Sequence, residues 1–231
     1  MSACAGPRLR NLGFYPKLSP RRKPMPDIPT LSSLNSVIVS QKKEFFELIG
    51  FETKNQYAIL SPQNGQIPIM YAAESGQGVL GFLFRQFLGH WRKFEIVLTN
   101  PQKELLIRAE HPFRFILQEL SLYDYKNRFV GRIKQRFSIF YKHFEFYDSS
   151  QNLLFTTKSP IWRIWTFPVM HGTQEVASIQ KKWSGLLKEA FTDADNFKVE
   201  FKSEKLRELD RYLLVAGALF VDLVYFEKKA K

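Results

Sequence analysis

Nine residues near the C terminus, Leu213-Leu214-Val215-Ala216-Gly217-Ala218-Leu219-Phe220-Val221, constrain this chain more than any other feature. They are apolar all round, so a helix made from them must be enclosed on every face, by protein or by lipid. No proline falls between Lys205 and Glu227, and this is the predicted helix, with Ser203 placed to cap it. Arg207, Glu208, Asp210 and Arg211 precede the apolar run and Asp222 interrupts its end. The stretch Tyr212 to Phe226 spans roughly 22 Å as a helix, short of the ~30 Å hydrocarbon slab. Asp222 near a bilayer centre would cost about 3 kcal/mol. Length favours a core helix, and a membrane span stays open as the second reading.

The rest of the chain must then supply the enclosure. From Lys43 to Phe201 it is dense in Phe, Tyr, Ile and Val and is broken by turn chemistry at Pro62-Gln63-Asn64-Gly65, Tyr125-Lys126-Asn127-Arg128 and Asp148-Ser149-Ser150. That spacing predicts short antiparallel strands. Phe115, Leu117, Glu119 and Ser121 alternate with Ile116, Gln118, Leu120 and Leu122, and Phe137, Ile139 and Tyr141 with Ser138, Phe140 and Lys142. Many such strands favour a closed barrel or a sandwich, because closure removes exposed edges. A weak repeat, Gly131 to Phe137 against Ala177 to Trp183, predicts two equivalent strands of one barrel, since a solenoid needs at least three copies.

Charge points to anionic partners. Lys and Arg exceed Asp and Glu by 34 to 22, a net +12, which suits nucleic acid or an anionic membrane surface. Residues 1–35 place Pro7, Pro16, Pro20, Pro24, Pro26 and Pro29 among Arg8, Arg10, Lys17, Arg21, Arg22 and Lys23. They are predicted to be an extended basic tail ahead of a domain over 36–231 whose helix covers about 205–227. The first residues do not read as a signal peptide. The single cysteine, Cys4, excludes a disulfide framework and a Cys-ligated zinc site. His90, His111, His143 and His171 lack metal-ligand spacing, and no nucleophile elbow, P-loop or dinucleotide fingerprint is present. Enzymatic readings therefore fare badly, and isolated histidines in an aromatic β core are usually structural.

Trp183-Ser184-Gly185, Phe191-Thr192-Asp193-Ala194-Asp195-Asn196-Phe197 and Leu214 to Glu227 together resemble the phospholipid scramblase family. Weaker echoes run through Asn55 to Ile59, Arg108 to Arg114 and Val130 to Gln135. The resemblance implies a mainly β, Tubby-like fold: a closed antiparallel barrel of about twelve strands around a hydrophobic C-terminal helix. The implied function is ATP-independent, bidirectional movement of phospholipids between leaflets, with no bond made or broken, at the cytoplasmic side of a membrane. The cysteine cluster that is lipidated in many animal members is missing, because Phe113-Arg114-Phe115-Ile116-Leu117 stands there. A PPxY ligand is also missing from the tail. Membrane attachment would then come from surface charge, exposed aromatics or the helix.

Three candidate sites follow. The resemblance implies a calcium loop starting at Asp193. Counting from it, Asp195 and Glu204 fall at positions 3 and 12 but Phe197, Lys198 and Phe201 occupy 5, 6 and 9, a poor cage. A turn whose aspartates satisfy backbone donors is the competing reading. The stretch Val79 to Lys93 crowds Phe82, Phe84, Phe87, Leu88 and Trp91 with Arg85, Arg92 and Lys93, which suits either a loop dipping into headgroups or a barrel strand. Arg132, Lys134 and Arg136 share one strand face, with Lys181 and Lys182 at the repeat-equivalent positions. The resemblance to Tubby-like domains makes these a headgroup site, and a solvated strand face is the alternative. A phosphoinositide-binding adaptor that does not scramble is the runner-up function. No helix-turn-helix, zinc finger or RNP pattern supports nucleic acid, and self-association is a further expectation.

Overall fold

A computed structural model describes residues 30–41, 56–64, 67–75, 93–163, 165–182 and 196–225. Twelve strands run β1 (Ser36–Ser40), β2 (Gln56–Leu60), β3 (Pro68–Glu74), β4 (Phe94–Thr99), β5 (Leu105–His111), β6 (Glu119–Asp124), β7 (Phe129–Arg136), β8 (Tyr141–Asp148), β9 (Leu153–Pro160), β10 (Thr166–His171), β11 (Gln174–Lys182) and β12 (Asn196–Phe201). Each pairs antiparallel with its sequence neighbour. β1 pairs with β12, from Ser36 opposite Glu200 to Ser40 opposite Asn196, and closes the barrel. The strand number and closure are those the resemblance implied.

The helix α1 (Glu208–Tyr225) lies inside, with every residue from Asp210 to Val224 buried. Alternate strand residues face it, among them Ile96, Leu98, Ile133, Phe144, Phe146, Ile179 and Val199. Its glycine is needed for contact: a Cβ on Gly217 would stand 2.7 Å from the Phe146 ring of β8. Gly131 of β7 would likewise place a Cβ 2.5 Å from the Tyr147 carbonyl oxygen, so β7 and β8 approach closely there. Gly131 and Ile133 point inward, as do Ala177 and Ile179, so the weak repeat does mark two equivalent strands.

The helix starts later than expected. Arg207 is the residue that caps it: its backbone N–H donates to the Asp210 carboxylate at 2.9 Å, and Asp210 is the third helical residue. Ser203 instead accepts the Lys205 amide, in a separate turn. The packed region also begins before residue 36. Leu31 is fully buried, and the amides of Leu31 and Ser32 donate to the Glu208 carboxylate at 2.6 and 2.8 Å. Residues 1–29 lie outside the described residues.

Arg211 ties this end together. Its guanidinium donates to the carbonyls of Leu31, Leu34 and Leu206 and lies 4.6 Å from the Phe201 ring centroid. Burial pulls its pKa below the ordinary arginine value, and carbonyl dipoles with the ring face supply the negative potential. At the far end Tyr57 donates to Asp222 at 2.7 Å, so the acid in the apolar helix has a buried hydrogen bond.

Candidate lipid-contact surface

In an up-and-down barrel, odd strands run one way and even strands the other, so the connections fall into two sets. One set surrounds the helix entry, beside Leu31 and Phe201. The other surrounds the helix exit, where Tyr225 receives a hydrogen bond from Gln135. The two ends are chemically different.

Among the described residues twelve large hydrophobics are exposed, and nine lie on three successive exit-end connections. Between β5 and β6 these are Phe113, Phe115 and Ile116, the last 79% exposed. Between β7 and β8 they are Phe137, Ile139 and Phe140, with Tyr141 at the start of β8, and between β9 and β10 they are Ile161 and Trp162. Pro112 to Gln118, Phe137 to Phe140 and Ile161 to Arg163 contain no carboxylate. Exposed Arg114, Arg136, Lys158 and Arg163 stand in or beside them. Connections two strands apart are spaced by roughly 10 Å, so the three cover about 20 Å of rim.

Hydrogen bonds at the base hold these side chains out. His111 Nε2 meets Gln118 Oε1 at 2.8 Å, Gln118 N–H donates to Gln135, and Gln135 in turn donates to the Tyr225 hydroxyl. The first connection is thereby fastened to β7 and the helix. Ile161 N–H donates to the Phe140 carbonyl at 3.0 Å, joining the second connection to the third. The Ser159 hydroxyl sits within hydrogen-bond distance of the Arg163 and Thr166 carbonyls. His111 itself is fully buried and stacked on Phe94 at 4.3 Å, a structural histidine.

The outward face of β6, β7 and β8 carries the basic row. Arg132, Lys134 and Arg136 do alternate on the outside, but acids flank them. Arg132 Nε lies 3.1 Å from Glu119, off the N–H line, so the contact is an ion pair rather than a hydrogen bond. Arg136 pairs with Glu145 at 3.3 Å, and the Lys134 ammonium lies 5.0 Å from the Tyr147 ring centroid. Burial, then the Lys158 charge, holds the pKa of nearby His143 below the usual imidazole value. This face is largely self-neutralised.

One placement corrects the sequence reading. Lys181 belongs to the inner face of β11: it is 9% exposed, with its ammonium 5.4 Å from the Phe197 ring centroid, so it cannot extend the outer basic row. Its repeat partner is inward-facing Gln135, one position off the row. Lys182 is the last residue of β11. Of the three carboxylates expected around calcium, only Glu204 lies among the described residues. β12 runs from Asn196 to Phe201, about 16 Å end to end, and leaves exposed Glu204 at the opposite end of the barrel from the β12 start. Asp193 and Asp195 lie outside the described residues. So do Phe82, Phe84, Arg85, Phe87, Leu88, Trp91 and Arg92, while Lys93 is exposed next to β4. Among the described residues no cluster of three or more His, Cys, Asp or Glu could hold a metal.

The sequence reading also missed the rim. It counted Phe115 to Leu117 and Phe137 to Phe140 as strand, yet β6 starts at Glu119 and β8 at Tyr141. Pro112, which has no N–H for a ladder, was the signal that β5 stops at His111.

A model of the scramblase family matches residues 18–228. Human phospholipid scramblase 2 is 27% identical over 88% of this chain and 71% of its own length. A phospholipid scramblase family protein of Schizosaccharomyces pombe is 24% identical over 77% of this chain, which spans about half, 49%, of that relative. A Saccharomyces cerevisiae protein named for altered inheritance rate of mitochondria is 24% identical over 89% of the chain. The family match runs through the whole barrel and its central helix, and the chain therefore belongs to the scramblase family.

Proposed function

We propose that the protein is a phospholipid scramblase that moves lipids in both directions between leaflets without ATP. The observation that carries this reading is the family match across every strand and the enclosed helix. The barrier to be lowered is the desolvation of a charged headgroup in hydrocarbon. No helix among the described residues is long and apolar enough to cross a membrane, and α1 is occupied inside the barrel. In this reading the protein acts by disturbing lipid packing from one leaflet. Calcium stimulation is a separate proposal, resting on Asp193 and Asp195 alone.

The test is scrambling of tagged lipid in sealed vesicles containing the purified protein, followed by dithionite quenching with and without calcium. Loss of clearly more than the outer-leaflet half of the fluorescence, without leakage, is expected. A second reading, an anionic-lipid or phosphoinositide-binding module that does not scramble, is favoured by the enclosure of α1. A plateau at one half, with protein still bound to the vesicles, would select it.

A further inference from the structure

We propose that the helix-exit rim is the membrane-docking end of the molecule. Phe115 and Ile116, Phe137 and Ile139, and Trp162 would enter the acyl boundary, while Lys158 and Arg163 meet lipid phosphates. This deepens the phospholipid reading and rests on it.

The exposure is built, not incidental. Three separate connections present exposed apolar side chains at one end, and the His111–Gln118–Gln135–Tyr225 chain and the Ile161–Phe140 bond keep them from folding back. Phe113 and Phe115 already meet edge to face at 4.7 Å between ring centroids, so ordering that pair costs little on insertion. Contiguous exposed apolar surface at one end of a soluble barrel marks an interaction site.

Charge decides what the site meets. Two of the three segments hold an arginine and none holds a carboxylate. Arg114 pairs with Glu119 at 2.9 Å, whereas neither Lys158 nor Arg163 has an ion-pair partner among the described residues. Phe, Ile and Trp tips with cations set just behind them match the acyl boundary and the phosphate layer in that order. Each basic residue near an anionic surface adds to the attraction. A net charge of +12 opposes docking two copies rim to rim. An anionic bilayer is therefore the occupant, with the barrel axis steep to the membrane and the C-terminal end of α1 facing it.

The test uses vesicles of phosphatidylcholine with about a third phosphatidylserine, scored by flotation. The variant Ile116→Ser, Ile139→Ser, Trp162→Ser should bind at least about tenfold more weakly than the unchanged chain. A control at the other end, Leu153→Ser, should bind as well as the unchanged chain. In parallel, with Cys4→Ser as background, an environment-sensitive dye at Ile139→Cys should shift to the blue on vesicles, and the same dye at Ser150→Cys should not. This second readout does not depend on the triple variant folding.

Equal binding by the triple variant, or a blue shift at position 150 alone, overturns the docking end while leaving the phospholipid reading intact. An unchanged chain that fails to float at all overturns both. A chain whose dimer dissociates when the rim is substituted, with no lipid binding lost, makes the rim a protein interface and overturns the proposal.

Discussion

The two ends of the barrel solve the same problem, joining neighbouring antiparallel strands, in opposite ways. At the helix-entry end Asn100 to Glu104, Asp124 to Arg128 and Asp148 to Asn152 are copies of one device. The first residue accepts the amide of the fifth through its side chain, and the fourth adopts positive φ, at Lys103 (66°), Asn127 (62°) and Gln151 (65°). Such turns close on themselves and leave polar tips. At the exit end the three described connections are tied down at the base and apolar at the tip. The lesson is that fixing a loop's backbone does not require burying its side chains. The entry end is built for closure, and the exit end is built for contact.

That contrast predicts that entry-end changes cost stability and exit-end changes do not. Arg211→Met strands the carbonyls of Leu31, Leu34 and Leu206 and should cost about 3 kcal/mol in urea unfolding. A loss within error would mean that this end is held chiefly by apolar packing. Asp148→Ala removes the acceptor of the Ser150 and Asn152 amides and should cost about 1 kcal/mol by the same measurement, with vesicle binding unchanged.

Acid should separate the ends further. Partial burial pushes the Asp124 carboxyl upward, but the Arg128 and Lys126 bonds outweigh it and hold it below 3.8. The Asn152 amide leads the same lowering at Asp148. Both therefore contribute stability above pH 3.8 that is lost as pH falls through their lower folded values. His143, at the exit end, also has a lowered pKa, so its contribution is present above 6.5 and declines as pH falls below it. Hydrogen exchange should show the start of β8 loosening between pH 7.5 and about 5.5 before the entry-end turns do, and His143→Gln should abolish that early step. Phe137→Ser and Ile139→Ser should shift unfolding by less than about 0.5 kcal/mol. A larger loss would mean that these side chains are part of the core and not of a contact surface.

The sequence exposed the enclosure well. An all-round apolar helix and period-two strands are each dictated by burial, and the interior of β4, β8 and β12 follows the alternation residue by residue. It exposed the rim poorly for the same reason. Alternating apolar residues continue from β7 into Phe137 and Ile139, and period two alone does not say where a ladder ends and solvent begins. Lys181 misled in the converse sense, because an inward position at a barrel mouth accepts an ammonium once an aromatic ring such as Phe197 lies beneath it. In the sequence Arg211 is only one of several charges that precede the apolar run. Two of its three carbonyl partners, Leu31 and Leu34, come from a segment about 180 positions away, which no local pattern encodes.

The enclosed helix also sets the order in which the molecule can be made. All twelve strands precede α1 in the chain, so a ribosome releases an empty sheet before the residues that fill it exist. β1 can meet β12 only once all the strands between them have been made. Most of the apolar inner face must therefore wait, uncovered, for a segment still inside the exit tunnel, and such late, long-range closure is slow and prone to aggregation. Fusing a slow-folding partner downstream should be tolerated. A stop codon placed shortly before Leu213 should leave an insoluble product in place of a weakened one.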